Sequence, residues 1–206
     1  MDPPEVLEMK QDSKAVFGAF LWTMFHPRIV YSVARKHIRR LRSNELSQLS
    51  IRYGSDKGPN KHGYTDIYEL YLREFRDQPI RLLEIGLLQH KHQRAIGGSK
   101  FSQAPSMRMW SEYLPQASVI GLDIADFSSV QMDRCIIIQG DQSSRDDLQR
   151  ATDAAGGQFD VIVDDGLHAS HHQQVSLGYL FPYLAPRGIY FVEDLHYQPA
   201  HSEIPD

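Results

Sequence analysis

Two acidic pairs in this chain stand where metal chemistry would put them. Asp164 and Asp165 follow directly on the apolar run of DVIVDDGLH, with His168 three residues beyond Asp165, and Glu193 with Asp194 closes a second run, GIYFVEDL. Ionised groups are costly to crowd together unless something positive comes to meet them. A cluster of oxygen donors suits a hard divalent cation such as Mg²⁺, which keeps water or substrate oxygens on its open positions. A histidine beside that cation can take a proton from a substrate hydroxyl whose acidity the metal has raised. The bland expectation is that the acids are solvated and His168 caps or packs.

Further acids fall at or near the ends of other apolar runs. Glu84 lies in LLEIG, where Gly86 lets the backbone turn tightly toward a ligand. Asp123 closes GLDI, where a carboxylate can accept both hydroxyls of a ribose. Asp141 and Gln142 follow CIIIQG and are placed for an adenine edge, with simple capping of the next helix as the alternative. Acids at three successive strand ends favour a nucleoside-containing cofactor. After Gly86 the chain reads LLQHKHQRAIGGS, which holds neither G-x-G-x-x-G nor a P-loop and argues against NAD and ATP. S-adenosylmethionine carries no phosphate and needs no such cradle. Among the other histidines, His171 and His172 read as surface residues at a helix start, His90 and His92 lie in a polar loop, and His196 and His201 lie near the terminus. Zinc would want His and Cys at fixed spacing, and the single cysteine, Cys135, sits in an apolar strand pattern, so no zinc site is expected.

Such residues need a frame to hold them. Five apolar runs cover 81–88, 118–124, 135–141, 160–166 and 188–195, most of them separated by helix-length segments at Ser106–Tyr113, Ser143–Ala155 and His171–Leu184. Apolar strands alternating with helices predict a Rossmann-like, doubly wound, mostly parallel α/β sheet, with ligands outside the carboxyl ends of its strands. The polar stretch 51–68 reads as a loop leading into a helix that ends near Phe75. The first 50 residues read as helical, which gives an N-terminal arm over 1–50 and a catalytic domain over 51–206. The apolar stretch Ala15–Phe25 is too short to span a bilayer. From Arg28 to Arg42, basic and apolar residues alternate as in an amphipathic helix, expected in packing or oligomer contact, with a membrane surface as the alternative. A formal net charge of −4 lacks the basic excess that binding nucleic acid needs. Cys135 cannot form an internal disulfide and no signal-peptide order is present, so the cytoplasm is the expected location.

The motifs YGSDKG, HGYTDIY, LLEIG, SMRMW, GLDI, GDQ, DDGLH and LFPYLAPRGIYFVEDL occur in that order over residues 50 to 197. The series is similar to the metal-dependent macrolide-sugar O-methyltransferases of the mycinamicin and macrocin type. The resemblance implies a class I S-adenosylmethionine fold, Mg²⁺, a small-molecule glycoside as substrate, and self-association. It implies Asp165, Glu193 and Asp194 as metal ligands and His168 as general base. Glu84, Gly86, Asp123, Asp141, Gln142, Asp164 and Tyr64 would then serve the cofactor, Asp164 being also a neighbour of the metal rather than a ligand. The implied chemistry is direct displacement, in which the sugar alkoxide attacks the sulfonium methyl in line. The loop holding Asp56, Lys57, His62 and Tyr64 is expected to close over cofactor or acceptor. Two features depart from the family. KFSQAP separates Gly97, Gly98 and Ser99 from SMRMW, and the chain stops eleven residues after Leu195, where this fold normally adds an antiparallel hairpin. Either the chain is a fragment, or a partner or the N-terminal arm covers that edge. Two other readings stay open, namely a methyltransferase-like relative of the cephalosporin-hydroxylase-associated proteins with another acceptor, and a non-catalytic cofactor-binding or assembly module.

Overall fold

A computed structural model describes residues 44–87 and 103–195. Helices α1 (Glu45–Tyr53) and α2 (Thr65–Leu72) precede β1 (Arg81–Ile85). After it come α3 (Pro105–Tyr113), β2 (Ser118–Asp123), β3 (Cys135–Gln139), α4 (Arg145–Ala155), β4 (Phe159–Asp164), α5 (Ser170–Leu180) and β5 (Leu184–Val192). Every strand pair is parallel and the order is β3-β2-β1-β4-β5, the doubly wound arrangement expected from the sequence. Strand order reverses between β1 and β4, the position at which such sheets bind ligands.

The period-two alternation of strand side chains divides the core into two layers. On one face, Leu82, Val119, Val161 and Val163 pack against Leu46 and Leu49 of α1, Tyr68 of α2, and Met107 and Trp110 of α3. On the other, Leu83, Ile85, Ile120, Leu122 and Ile162 pack against Leu148 and Ala151 of α4 and Leu180 of α5. Helix ends follow local chemistry. Asn44 accepts from the Ser47 amide at 2.6 Å and starts α1, and Gly54 ends it at φ 77°. Ser144 caps α4, and Gly156 closes it at φ 64°.

Four sequence expectations shift. Helix α5 ends at Leu180 rather than near 184, because Pro182 ends the α-helical bonding and a 3₁₀ turn (Phe181–Tyr183) replaces it. Strand β5 accordingly begins at Leu184, four residues before the expected start. The flanking strands are also less covered than an all-apolar run implies, for Ile136 of β3 is 49% exposed. The compact unit begins at Asn44, so α1 crosses residue 50 and packs into the domain core. The basic stretch 28–42, His90, His92, Gly97, Gly98, Ser99, His196 and His201 lie outside the described residues. No described helix is long and apolar enough to cross a membrane.

Candidate functional site

The alternation that builds the core also separates the two aspartates of DDG. Asp164 continues the parity of Ile162 and turns toward α4 and α5, whereas Asp165 continues that of Val163 and turns toward the α1–α3 layer. Asp164 is fully buried and works as a latch. Its Oδ1 accepts from Gln142 Nε2 at 3.1 Å, and its Oδ2 accepts from the hydroxyls of Ser176 and, at 3.5 Å, Tyr190. Gln142 completes the latch by accepting the Leu167 amide at 2.7 Å, which fixes the loop leading to His168.

On the other face the carboxylates gather. Register places Val192 opposite Asp164, so Glu193 and Asp194 emerge beside Asp165, and the Glu193 amide donates to the Asp164 carbonyl at 2.9 Å. Asp165 Oδ1 and Asp194 Oδ2 each lie 3.7 Å from His168 Nε2. Asp165, His168 and Asp194 can each present one ligand atom within 4.8 Å of the others. His168 and Asp194 reach these positions at φ 63° and 51°, in the left-handed region that few residues other than Gly take and where Asn, Asp and His are the commonest of those few. Burial pushes the His168 imidazole below its ordinary value against the pull of Asp194 and Glu193, which favours a neutral ring with a basic nitrogen.

Lys57 stands at the centre of this wall although its loop lies far away in sequence. Its side chain is 2% exposed, and Nζ pairs with Glu193 Oε1 at 2.8 Å, with Glu84 Oε1 at 3.4 Å and with Asp165 Oδ2. Burial disfavours the ammonium, but Asp165, Glu193 and Glu84 outweigh that cost and hold the amine well above its usual range. Burial likewise pushes Glu84 up to about 7 against the opposing pull of Lys57 and Ser106. The Tyr68 hydroxyl donates to Glu193 Oε1, and the Tyr64 hydroxyl donates to Asp194 Oδ1. With one ammonium against Asp165 and Glu193, and Asp194 meeting the same site through His168, carboxylates outnumber the positive charge, and oxygen donors of that kind fit a divalent cation.

The cofactor side is less uniform. Gly86 sits at φ 84°, and a Cβ there would come within 2.0 Å of the Asp165 carbonyl oxygen, so only glycine lets β1 end against the DDG turn. Asp123 is 8% exposed, and its oxygens accept from the Leu87 and Ala125 amides at 2.6 and 2.7 Å. Each of those oxygens keeps a second lone pair, so the carboxylate fits a diol as well. Asp141 Oδ1 accepts from the Ser143 amide and hydroxyl, each at 2.8 Å, which is local turn chemistry. Asp141 and Gln142 thus spend their polar atoms on the loops that flank the site. Glu84 lies inside β1 rather than at its end, and Ser106 of α3 donates to its Oε2 at 2.8 Å.

Sequence reasoning placed Lys57 and Tyr64 in a closing loop but overlooked Tyr68. A signal was available, since Tyr64 opens α2 and Tyr68 lies four residues on, along the same helix face. Among the described residues, surface hollows of about 590 and 330 Å³ are lined by other residues than the acidic cluster.

A parallel sheet ordered β3-β2-β1-β4-β5, with acids at its carboxyl edge, is the fold of the class I S-adenosylmethionine-dependent methyltransferases. The chain is homologous to sugar O-methyltransferases of antibiotic pathways. It is 39% identical over 154 residues to mycinamicin VI 2''-O-methyltransferase of Micromonospora griseorubida, covering 75% of this chain and 37% of that protein. It is 40% identical over 157 residues to 8-demethyl-8-alpha-L-rhamnosyl tetracenomycin-C 2'-O-methyltransferase of Streptomyces olivaceus, covering 75% and 39%. Identity to demethylmacrocin O-methyltransferase of Streptomyces fradiae is 35% over 151 residues, covering 73% and 36%. Among solved structures, the MycE methyltransferase of the mycinamycin pathway, in complex with Mg and SAH, superposes with a TM-score of 0.66 at 37% identity, covering 74% of this chain and 40% of that one. The chain therefore spans well under half the length of these relatives. No family model matches it.

Proposed function

We propose that this domain transfers a methyl group from S-adenosylmethionine to a hydroxyl of a sugar carried by a small-molecule natural product, with Mg²⁺ at the acidic cluster. The observation that carries the reading is the convergence of Asp165, Asp194 and His168 at adjoining strand ends of this fold. The homology to enzymes named for methylating sugar hydroxyls supports it.

In this reading Asp165 and Asp194, with Glu193 as the third carboxylate, hold the cation, and His168 is the general base. A bound Mg²⁺ supplies Lewis acidity that makes a sugar hydroxyl easier to deprotonate. His168 Nε2 would take the hydroxyl proton, and the oxygen would displace S-adenosylhomocysteine in line, the C–O bond forming as the S–CH3 bond breaks. Gly86 and Asp123 flank the cofactor, with Asp123 facing the ribose. Asp164, Asp141 and Gln142 keep the loops in place. Much of the acceleration comes from holding two reactants in line.

Calorimetry with S-adenosylmethionine, with and without Mg²⁺, tests the reading, followed by methyl transfer to a panel of glycosides. Cofactor binding and methylated glycoside are expected, and no binding in either condition overturns the reading. Location in the cytoplasm and assembly into a homo-oligomer belong to the same proposal. The second rests on the amphipathic pattern of residues 28–42, and light scattering on the purified chain tests it.

A further inference from the structure

Three hydroxyl or ammonium donors from one short segment, residues 57–68, reach three different carboxylates of the site. Lys57 Nζ takes Asp165 Oδ2 and Glu193 Oε1, the Tyr68 hydroxyl joins it on Glu193 Oε1, and the Tyr64 hydroxyl takes Asp194 Oδ1. For the two aspartates the division is consistent. The oxygen bound by this segment is in each case the other one from that 3.7 Å from His168 Nε2. A carboxylate turns about its last bond unless something pins one oxygen, and a metal site needs it pinned.

The burial pattern matches that task better than it matches packing alone. Lys57 is 1% exposed, and a methylene stem ending in a buried charge is a poor filler, since unpaired burial of an ammonium is strongly unfavourable. Tyr68 is also buried, with its ring edge-on to Trp110 and Phe191, so its hydroxyl is set in one place by the core. Tyr64 stacks on His62 at 5.4 Å between ring centroids. Gly58, next to Lys57, leaves no room for a side chain, because a Cβ would meet Ser50 Oγ at 2.1 Å. The loop backbone is thereby pressed onto α1, which fixes where the Lys57 stem begins.

We propose that Lys57 and Tyr64 are positioning residues that pin the outer oxygens of Asp165 and Asp194, so that the inner oxygens face the divalent cation, with Tyr68 holding Glu193 Oε1 beside Lys57. The inference rests on the cation site proposed above and adds the segment that orients it. The three residues touch neither cation nor substrate in this arrangement. They act through the carboxylates.

The test is Mn²⁺ binding followed by electron paramagnetic resonance, with Mg²⁺ competing and with circular dichroism as the control for folding. Tyr64→Phe removes one hydroxyl from a partly exposed ring and leaves the core intact. Lys57→Met removes the ammonium at similar length. Each variant is expected to lose roughly 10- to 100-fold in cation affinity, the range typical of residues that orient metal ligands, with the circular dichroism spectrum of the wild type retained. A role confined to packing would lower the melting temperature and leave cation affinity unchanged. If Lys57→Met does not fold, Tyr64→Phe decides alone. Wild-type cation binding with unchanged affinity in Tyr64→Phe overturns this inference only. A wild-type chain that binds neither Mn²⁺ nor Mg²⁺ overturns the cation site, and the inference with it.

Discussion

His168 is the residue at which two assignments compete. The geometry groups it with Asp165 and Asp194 as a possible ligand, while a neutral imidazole 3.7 Å from both carboxylates is equally the base that a hydroxyl substrate requires. Cation chemistry separates them, because Mg²⁺ prefers oxygen and holds nitrogen ligands poorly. We therefore expect His168→Ala to lower methyl transfer by about 10²- to 10⁴-fold, the usual contribution of a positioned base, while Mg²⁺ affinity stays within about threefold. Parallel loss of transfer and of Mg²⁺ binding in a titration would instead make His168 a ligand.

At the level of elements, the junction between β3 and α4 shows how the scaffold is tied together next to the site. Asp147, in the first turn of α4, accepts the Asp141 amide at 2.8 Å through Oδ2 and Arg150 Nη2 at 2.6 Å through Oδ1. A Cβ at Gly140 would approach the Asp147 Cβ to 2.9 Å, so the turn closes tightly over this carboxylate. The Asp141 amide first, and then Arg150, hold the Asp147 carboxyl below the ordinary aspartate range. A depressed native value contributes stability that is present above the unfolded value, near 3.9, and is lost as pH falls through the native one. Asp147→Asn is therefore expected to cost about 1 kcal/mol at pH 7 and less at pH 3, read from urea unfolding at both values. An equal cost at both would show that the charge contributes nothing. The sequence made much of this frame readable, because apolar runs and helix-length gaps follow directly from burial on both sheet faces. It marked the acids of β4 and β5 for the same reason, since Asp165 and Glu193 follow runs that end at a shared edge. What it left hidden were partners distant along the chain. Nothing near Lys57 announces Asp165, 108 residues on, and nothing in GDQ shows that the Gln142 amide is spent on Asp164 and Leu167. Those pairings depend on which way each side chain leaves its element, and the order of residue types does not carry that.

For the molecule as a whole, the site is assembled from segments that only folding brings together: the 54–64 loop, the end of β1, the DDG turn and the residues after β5. An unfolded chain has no such arrangement, so ligands of the site bind the native state alone and stabilise it by mass action. At a concentration one hundred times its dissociation constant, S-adenosylhomocysteine should add about 2.7 kcal/mol. For a chain of this size that is a rise of roughly 5–10 °C in melting temperature. Cation and cofactor meet at one turn, because Gly86, next to the proposed cofactor, lies against the carbonyl of the proposed ligand Asp165. The two shifts are therefore expected to exceed the sum of the separate ones when both ligands are present. A strictly additive result in differential scanning fluorimetry would mean that the Gly86–Asp165 contact transmits nothing, and no shift with either ligand would remove the basis for a methyltransferase site on this fold.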